Sequence, residues 1–267
     1  MLPRPRAFRR ITVLVAVATC AVLVMVTPAG ARPVPIDSRA ARSAPASLPL
    51  SGMVVAIDPG HQLGNSRHLK KINRLVWVGL WKPCNTAGTA TNSGFPEATF
   101  TWRVAKALRK RLRALGATVH MTRTTNSYAD WGPCVGTRGR FGAKVHADVE
   151  ISLHGDGAAS SQHGFFVIRP GLRAGYTDDI FTSSHRFAKA VHAGLLAAGF
   201  HRSTAYGGDG YDVRRDLGTL NMADVPTVMV ELGNMRNAGD ARCMTSHTCR
   251  GRYADGLAGG IRQFLVR

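Results

Sequence analysis

The segment MVVAIDPGH, residues 53–61, changes from apolar to polar residues part-way along. Its first five residues are apolar, which is typical of a short buried strand. The sequence Asp58-Pro59-Gly60 then ends the strand, because proline and glycine favour a turn. His61 follows the turn directly. The segment therefore predicts a buried strand with polar side chains at its carboxyl end.

Strands and helices alternate along the chain from residue 53 onward. Short apolar runs predict strands, whereas apolar residues at four-residue spacing, such as Phe100, Val104 and Leu108, predict a helix. The predicted strands are 53–57, 117–122, 148–153, 164–168 and 226–230, and the predicted helices are 96–114, 137–146, 183–198 and 250–266. This alternation predicts one α/β domain with a largely parallel sheet, in which sites collect at the carboxyl ends of the strands.

The first 31 residues have the features of a secretory signal peptide. Four arginines precede an uncharged apolar run over residues 11–26, and Ala-Gly-Ala at residues 29–31 offers a cleavage site. The run is short for a membrane span, but an uncleaved anchor is an alternative. Residues 32–50 are rich in Pro, Ala, Ser and Arg, which predicts a flexible tether before a folded domain at residues 51–267. We therefore expect a secreted protein.

The chain is strongly basic, with 35 Lys and Arg against 16 Asp and Glu and a net charge of +19. Loss of residues 1–31, which contain four arginines and no acid, leaves 19 − 4 = +15. Such a charge indicates an anionic partner, although solubility alone is an alternative explanation. Export argues against nucleic acid, for which the chain also has no recognised motif. Anionic wall polymers or a membrane surface are better candidates.

Four cysteines follow the predicted signal peptide, namely Cys84, Cys134, Cys243 and Cys249. An even number in an exported protein indicates two disulfides, and four cysteines allow three pairings. We favour Cys243–Cys249, which is local, together with Cys84–Cys134, which would join two loops. The chain has no two CxxC motifs, so the cysteines do not predict a zinc site.

Polar residues with catalytic chemistry follow three of the predicted strands. His61 follows the first strand, His154 the third and Glu231 the fifth. Glu97 stands in the first turn of the first helix, directly after a proline that suits a helix start. Glutamate is scarce, since only these two and Glu150 occur, so each one needs an explanation. The predicted topology brings the two histidines and two of the glutamates to one edge of the sheet.

This combination of side chains predicts a metal-assisted hydrolase. Two histidines and one carboxylate make a known catalytic zinc set with a fourth position left open. A second carboxylate can then take the proton of the attacking water and pass it to the leaving amine. Asp58 or Asp156 could orient a histidine ligand. Each residue alone has an ordinary explanation, such as a structural histidine or a helix-start acid, but the joint pattern is far more specific.

Four motifs in this order resemble the amidase_3 family, the zinc-dependent N-acetylmuramoyl-L-alanine amidases. They are DPGH at residues 58–61, Glu97 with its helix, ISLH at residues 151–154 and VELG at residues 230–233. The resemblance runs from about residue 53 to residue 265 and is similar to the short, single-domain actinobacterial and mycobacterial members. It implies a six-stranded α/β fold with helices on both faces and a zinc site at the carboxyl ends of the strands.

The resemblance also implies a role for each site residue. It makes His61, Glu97 and His154 the ligands of one Zn²⁺ per chain, and Glu231 the general acid and base. The implied reaction of the catalytic domain, residues 51–267, is hydrolysis of the amide between N-acetylmuramic acid and L-alanine in peptidoglycan. We expect a monomer that acts at the cell wall or in a periplasm-like space.

Beside the ligands the chain departs from the family pattern, with Gln62-Leu63 after the first histidine and Gly-Asp-Gly at residues 155–157 after the second. Substrate contacts must therefore be judged on this chain alone. We expect Arg214 and Arg215, in the segment 209–216, to contact stem-peptide carboxylates. A calcium loop is an alternative interpretation of this segment, although it lacks the bidentate glutamate of an EF-hand.

Two other functions compete with the amidase. A zinc peptidase that cuts within the stem peptide would use the same chemistry, so only its products would distinguish it. A non-enzymatic wall-binding protein on an amidase scaffold would not need Glu231, and its presence favours an enzyme.

Overall fold

Eight strands occur in the computed structural model, which describes residues 47–266. In chain order they are β1 (Val54–Pro59), β2 (Leu75–Trp77), β3 (Trp81–Pro83), β4 (Thr118–Met121), β5 (Val149–Asp156), β6 (Phe166–Pro170), β7 (Tyr211–Arg214) and β8 (Thr227–Asn234). Six of them form the central sheet in the order β4-β1-β5-β8-β6-β7, and β2 and β3 form a separate antiparallel hairpin.

Helices connect these strands. They are α1 (Leu69–Ile72), α2 (Glu97–Ala114), α3 (Val135–Gly139), α4 (Phe141–Lys144), α5 (Phe181–Ala197), α6 (Gly218–Asn221), α7 (Ala238–Thr245) and α8 (His247–Leu265), with a 3-10 helix at Leu63–Arg67. The three long helices pack together, since α8 lies against both α2 and α5.

Most neighbouring strands of the sheet are parallel. β1 is parallel to β4 and β5, and β5 is parallel to β8. β6 pairs antiparallel with β8, and β7 is parallel to β6. The predicted α/β domain with a largely parallel, six-stranded sheet is therefore confirmed. Because β1, β5 and β8 are adjacent and parallel, their carboxyl ends lie at the same edge of the sheet.

Alternation of side chains along the strands gives the sheet two different faces. Val55, Ile57 and Ile151 point into the main hydrophobic core with α2, α5 and α8. On the opposite face a smaller apolar cluster includes Met229 of β8 and Leu220 of α6. Helices thus cover both faces, but the second face has only short helices, which leaves room for polar side chains.

Several elements differ from the sequence-based expectation. Strand β7, in the segment 209–216, and the β2–β3 hairpin lie outside the predicted strands. β7, with the sequence YDVR, has no apolar run that would predict a strand. This composition is typical of a short strand at the edge of a sheet. The helix predicted at 137–146 is two short helices, α3 and α4, which meet at Arg140.

The folded domain includes a residue that was assigned to the tether. Leu50 is fully buried in the main core, and its amide donates a 2.8 Å hydrogen bond to the carbonyl of Leu115. The predicted signal peptide and residues 32–46 lie outside the described residues. Within residues 47–266, no helix has the length and apolar character needed to cross a membrane.

Both favoured disulfides are present. Cys84–Cys134 connects the chain after β3 to the start of α3, across 50 residues and with a Cα–Cα distance of 4.3 Å. Cys243–Cys249 joins α7 to α8 with a Cα–Cα distance of 5.2 Å. The first bridge is important for the site, because it links the end of the β2–β3 hairpin to the start of α3.

Glu150 lies within β5 with its carboxyl group fully buried. Its Oε2 accepts a 2.9 Å hydrogen bond from the amide of Gly142 in α4, whereas its Oε1 has no partner within the part of the chain that the structure describes. Burial, followed by the negative charge of Asp58, raises the pKa of Glu150 well above its usual value. The folded protein therefore keeps this carboxyl protonated at pH values where the unfolded chain ionises it.

Replacement of Glu150 by glutamine should stabilise the protein increasingly as the pH rises. Because the folded-state pKa is raised, the wild type loses stability above the unfolded-state value of ~4.3, by up to about 1.4 kcal/mol per pH unit. Glutamine mimics the protonated acid, so Glu150→Gln should match the wild type near pH ~4, where the unfolded-state carboxyl is still mostly protonated, and exceed it near pH ~8. Urea unfolding at a series of pH values measures the difference.

The exposed Asp179 provides a matched control, since Asp179→Asn makes the same chemical change on the surface. Its stability profile should run parallel to that of the wild type. A constant difference between Glu150→Gln and the wild type across this pH range would contradict the assignment of a neutral, buried Glu150.

Candidate active site

Polar side chains of the central strands all point to the face that carries the short helices. Asp58 on β1, Ser152 and His154 on β5, and Glu231 on β8 alternate with residues of the main core. His154 and Glu231 are also direct neighbours in the register between β5 and β8. The strand period therefore places the candidate residues on one face, close to the carboxyl ends of their strands.

Three of the predicted residues form a cluster that could hold a metal ion. One potential ligand atom from each of His61, Glu97 and His154 lies within 4.8 Å of the others. The Oε1 atom of Glu97 is 3.1 Å from Nε2 of His61 and 2.9 Å from Nδ1 of His154. Two imidazole nitrogens and one carboxylate oxygen match the donor set of catalytic zinc sites, so these residues fit the predicted ion.

The charge of Glu97 is favoured by its surroundings. Burial opposes its ionisation, but the charge of His61 and the hydrogen bonds of both histidines outweigh burial and hold the pKa of Glu97 well below its usual value. The amides of Thr89 and Gly155 donate further hydrogen bonds to its two oxygens, at 2.9 Å and 3.2 Å. A negatively charged carboxylate is therefore ready to bind a cation.

The ring of His61 is oriented by a backbone carbonyl. Its Nδ1 lies 3.0 Å from the carbonyl oxygen of Thr86, to which it can only donate, and this contact turns Nε2 toward Glu97. Metal-binding histidines commonly have such a partner, because it sets the tautomer and the ring orientation. The sequence suggested Asp58 or Asp156 for this role, but the contact comes from Thr86, and a main-chain contact leaves no residue-type signal.

Two glycines allow the cluster to close. A Cβ atom on Gly60 would lie 2.5 Å from Cε1 of His154, so a larger residue there would displace the ring. Gly88 has a φ of +81°, and a Cβ atom on it would lie 2.9 Å from both Glu97 and His61. The close approach of these backbone segments therefore requires glycine at both positions.

Asp58 and Arg138 form a buried ion pair behind the cluster. Nη1 of Arg138 is 2.5 Å from Oδ1 of Asp58, and Nη2 donates a 2.7 Å hydrogen bond to the carbonyl of His61. Thr122 and Ser152 donate to the same carboxylate at 2.5 Å and 2.7 Å. Burial opposes ionisation, yet Arg138 and these hydrogen bonds hold the pKa of Asp58 below its usual value. The pair positions the backbone of His61.

Glu231 has surroundings opposite to those of Glu97. Its Oε2 is buried and has no hydrogen-bond partner among the described residues. Burial, and then the negative charges of Glu97 and Asp156, raise the pKa of Glu231 well above its usual value. Two nearby carboxyl groups whose pKa values are pushed apart are typical of sites in which one binds a cation and the other transfers protons.

All four predicted residues line one cavity of about 430 Å³. Lys82 of the β2–β3 hairpin and Arg138 line it too, whereas Arg214 and Arg215 do not. Arg214 is held instead by Asp216, at 2.8 Å, and lies 3.6 Å from Asp212. Lys82 is therefore the cation that the structure presents to a bound anionic group, although its Nζ is also 3.6 Å from Asp216. No sequence pattern predicted a role for Lys82, because its position depends on the hairpin and on the disulfide that follows it.

Comparison with known proteins agrees with this geometry. The profile of the Amidase_3 family, described as N-acetylmuramoyl-L-alanine amidase, matches residues 55–263. The chain is 39% identical over 236 residues to the N-acetylmuramoyl-L-alanine amidase Rv3717 of Mycobacterium tuberculosis, a match that covers 87% of this chain and 93% of that protein.

Solved structures give the same result. The apo form of Ami1, an N-acetylmuramyl-L-alanine amidase from Mycobacterium abscessus, is similar with a TM-score of 0.75 and 38% identity over 80% of this chain and 99% of that one. Ami1 from Mycobacterium smegmatis matches with a TM-score of 0.75 and 35% identity over 81% of this chain and 98% of that one. The chain belongs to the Amidase_3 family of N-acetylmuramoyl-L-alanine amidases.

Proposed function

We propose that this protein is a zinc-dependent N-acetylmuramoyl-L-alanine amidase that cleaves the amide between N-acetylmuramic acid and L-alanine in peptidoglycan. The observation that carries the proposal is the shared cavity, in which the His61–Glu97–His154 cluster and the unpartnered carboxyl of Glu231 come together. Membership of the family and the names of the mycobacterial relatives support the choice of substrate.

The metal and Glu231 would share the chemistry. His61, Glu97 and His154 would hold one zinc ion, which supplies a Lewis acid that polarises the scissile carbonyl and lowers the pKa of water. Glu231 takes the proton of the attacking water and then delivers it to the departing nitrogen of L-alanine. Its raised pKa suits this double role, because the group must hold a proton between the two steps and then release it.

Substrate orientation would come from the cavity wall. Lys82 lines the cavity beside the cluster and is well placed to attract a carboxylate of the stem peptide. We propose Lys82 for this contact in preference to Arg214 and Arg215, because the guanidinium of Arg214 is already paired with carboxylates and neither arginine reaches the cavity.

The substrate also sets the place of action. Peptidoglycan lies outside the cytoplasmic membrane, so we propose that residues 1–31 direct export and that residues 51–267 act as the catalytic domain at the cell wall. The predicted monomer is part of this proposal.

Product analysis tests the amidase proposal directly. Incubation of muropeptide fragments with the full chain should release free stem peptides that begin at L-alanine, detected by mass spectrometry. A chelator should abolish the release and added zinc should restore it, because the ligand set is that of a catalytic zinc site. Cuts between amino acids of the stem would instead establish the peptidase, and binding to the wall without any product would favour the non-enzymatic alternative.

The variant Glu231→Gln tests the role of the second carboxylate. It should reduce turnover by roughly 10²- to 10⁴-fold, because glutamine has the same shape but does not accept the proton. Metal content per chain, measured by elemental analysis, should equal that of the wild type, which excludes an indirect effect through the cluster. Turnover close to that of the wild type would remove Glu231 from the mechanism.

A further inference from the structure

A second cavity, which shares no lining residue with the first, lies between α2 and α8. Its volume is about 760 Å³. Its lining includes an alanine, a glycine and six basic side chains. The basic residues are Arg103, Lys106, Lys110, Arg111, His247 and Arg250. We refer to this cavity as the basic groove. No acidic side chain of residues 47–266 lines it.

The helical repeat creates one wall of the basic groove. Arg103, Lys106 and Lys110 are separated by three and four residues, so they lie along one side of α2, and all three are exposed. With a rise of ~1.5 Å per residue, this row extends for about 10 Å. Arg250 of α8 forms part of the opposite wall. The cations therefore line both walls of an elongated groove.

Most of this charge is not neutralised by the protein. Arg111 is paired with Asp255, but no carboxylate lies within ion-pair distance of Arg103, Lys106 or Lys110 among residues 47–266. Arg103 lies over the ring of Phe95, and Lys106 lies over the ring of Trp102.

The second wall adds a strongly desolvated cation. Arg250 is only 7% exposed, and its Nη1 donates a 2.8 Å hydrogen bond to the carbonyl of Met244. Burial, and then the nearby charge of Arg103, lower the pKa of Arg250. Like charges held this close repel one another, and a bound anion would relieve the repulsion.

We propose that the basic groove binds a linear, phosphodiester-containing polymer of the cell wall and so holds the enzyme against its substrate. A row of cations about 10 Å long matches a repeating polyanion better than a single small anion. The lining offers no large apolar side chain that could enter a lipid bilayer, and the cations lie within a concavity. A membrane is therefore the poorer occupant.

Binding at the basic groove is separable from catalysis. Glu97 begins α2, whereas Arg103 to Lys110 lie in the middle and later turns of that helix. The two cavities have no lining residue in common. A polymer in the basic groove would thus leave the candidate active site open. Only the biological purpose of polymer binding, which is to hold the enzyme near its substrate, rests on the proposed amidase function.

A charge-matched pair of variants tests this inference on the full chain. Arg103→Gln/Lys106→Gln/Lys110→Gln removes three charges from the groove, whereas Lys70→Gln/Arg186→Gln/Lys189→Gln removes three exposed charges elsewhere. The probe is poly(glycerol phosphate), with affinity measured by calorimetry over a range of salt concentrations. The groove variant should bind roughly tenfold more weakly or worse, and its salt dependence should fall by about three ions. The control variant should bind like the wild type.

Three outcomes would overturn the proposal. Equal weakening in both variants would show that binding follows net charge alone. Tighter binding to phosphatidylglycerol vesicles than to the polymer would assign the groove to a membrane, and tighter binding to duplex DNA would assign it to nucleic acid. The groove variant should hydrolyse small muropeptides at the rate of the wild type. This assay does not involve the polymer, so it distinguishes a failure of the amidase proposal from a failure of the polymer-binding proposal.

Discussion

The carboxylate of Glu97, held between two imidazole rings, is the contact on which the rest of the site depends. Its Oε1 atom lies 3.1 Å from Nε2 of His61 and 2.9 Å from Nδ1 of His154, and these groups come from a helix start, a loop and a strand. To bring them together, α2 must begin at residue 97 and β1 must end in a turn with glycine at position 60. The buried Asp58–Arg138 pair then holds the backbone of the loop that carries His61.

The same arrangement shifts the pKa values of two glutamates, Glu97 and Glu231, in opposite directions. Glu97 has partners that favour its charged form, whereas Glu231 is half-buried, its Oε2 has no hydrogen-bond partner among the described residues, and other carboxylates lie nearby. The sheet produces this contrast, because Glu231 sits beside His154 in the register of β8 and β5 and therefore shares their environment. In the proposed mechanism the metal ligand and the proton carrier would thus be the same residue type, distinguished by position alone.

Much of this arrangement could be predicted from the sequence, because the decisive signals are local. A short apolar run followed by Asp-Pro-Gly-His predicts both β1 and the position of His61, and a parallel sheet brings strand ends together. The contacts that depend on distant segments could not be predicted. Thr86 supplies a carbonyl, Lys82 reaches the cavity on a hairpin tied by a disulfide, and β7 forms only by pairing with β6. In each case tertiary contacts, and not residue type, decide the outcome.

We propose that His61, Glu97 and His154 together bind one zinc ion in the cavity that contains Glu231. Anomalous diffraction at the zinc edge, from crystals of the protein grown with zinc, measures this most directly. We predict one strong peak about 2.0–2.2 Å from Nε2 of His61, Nδ1 of His154 and the carboxylate of Glu97. Zinc bound elsewhere, or a site that omits any of these three side chains, would contradict the account.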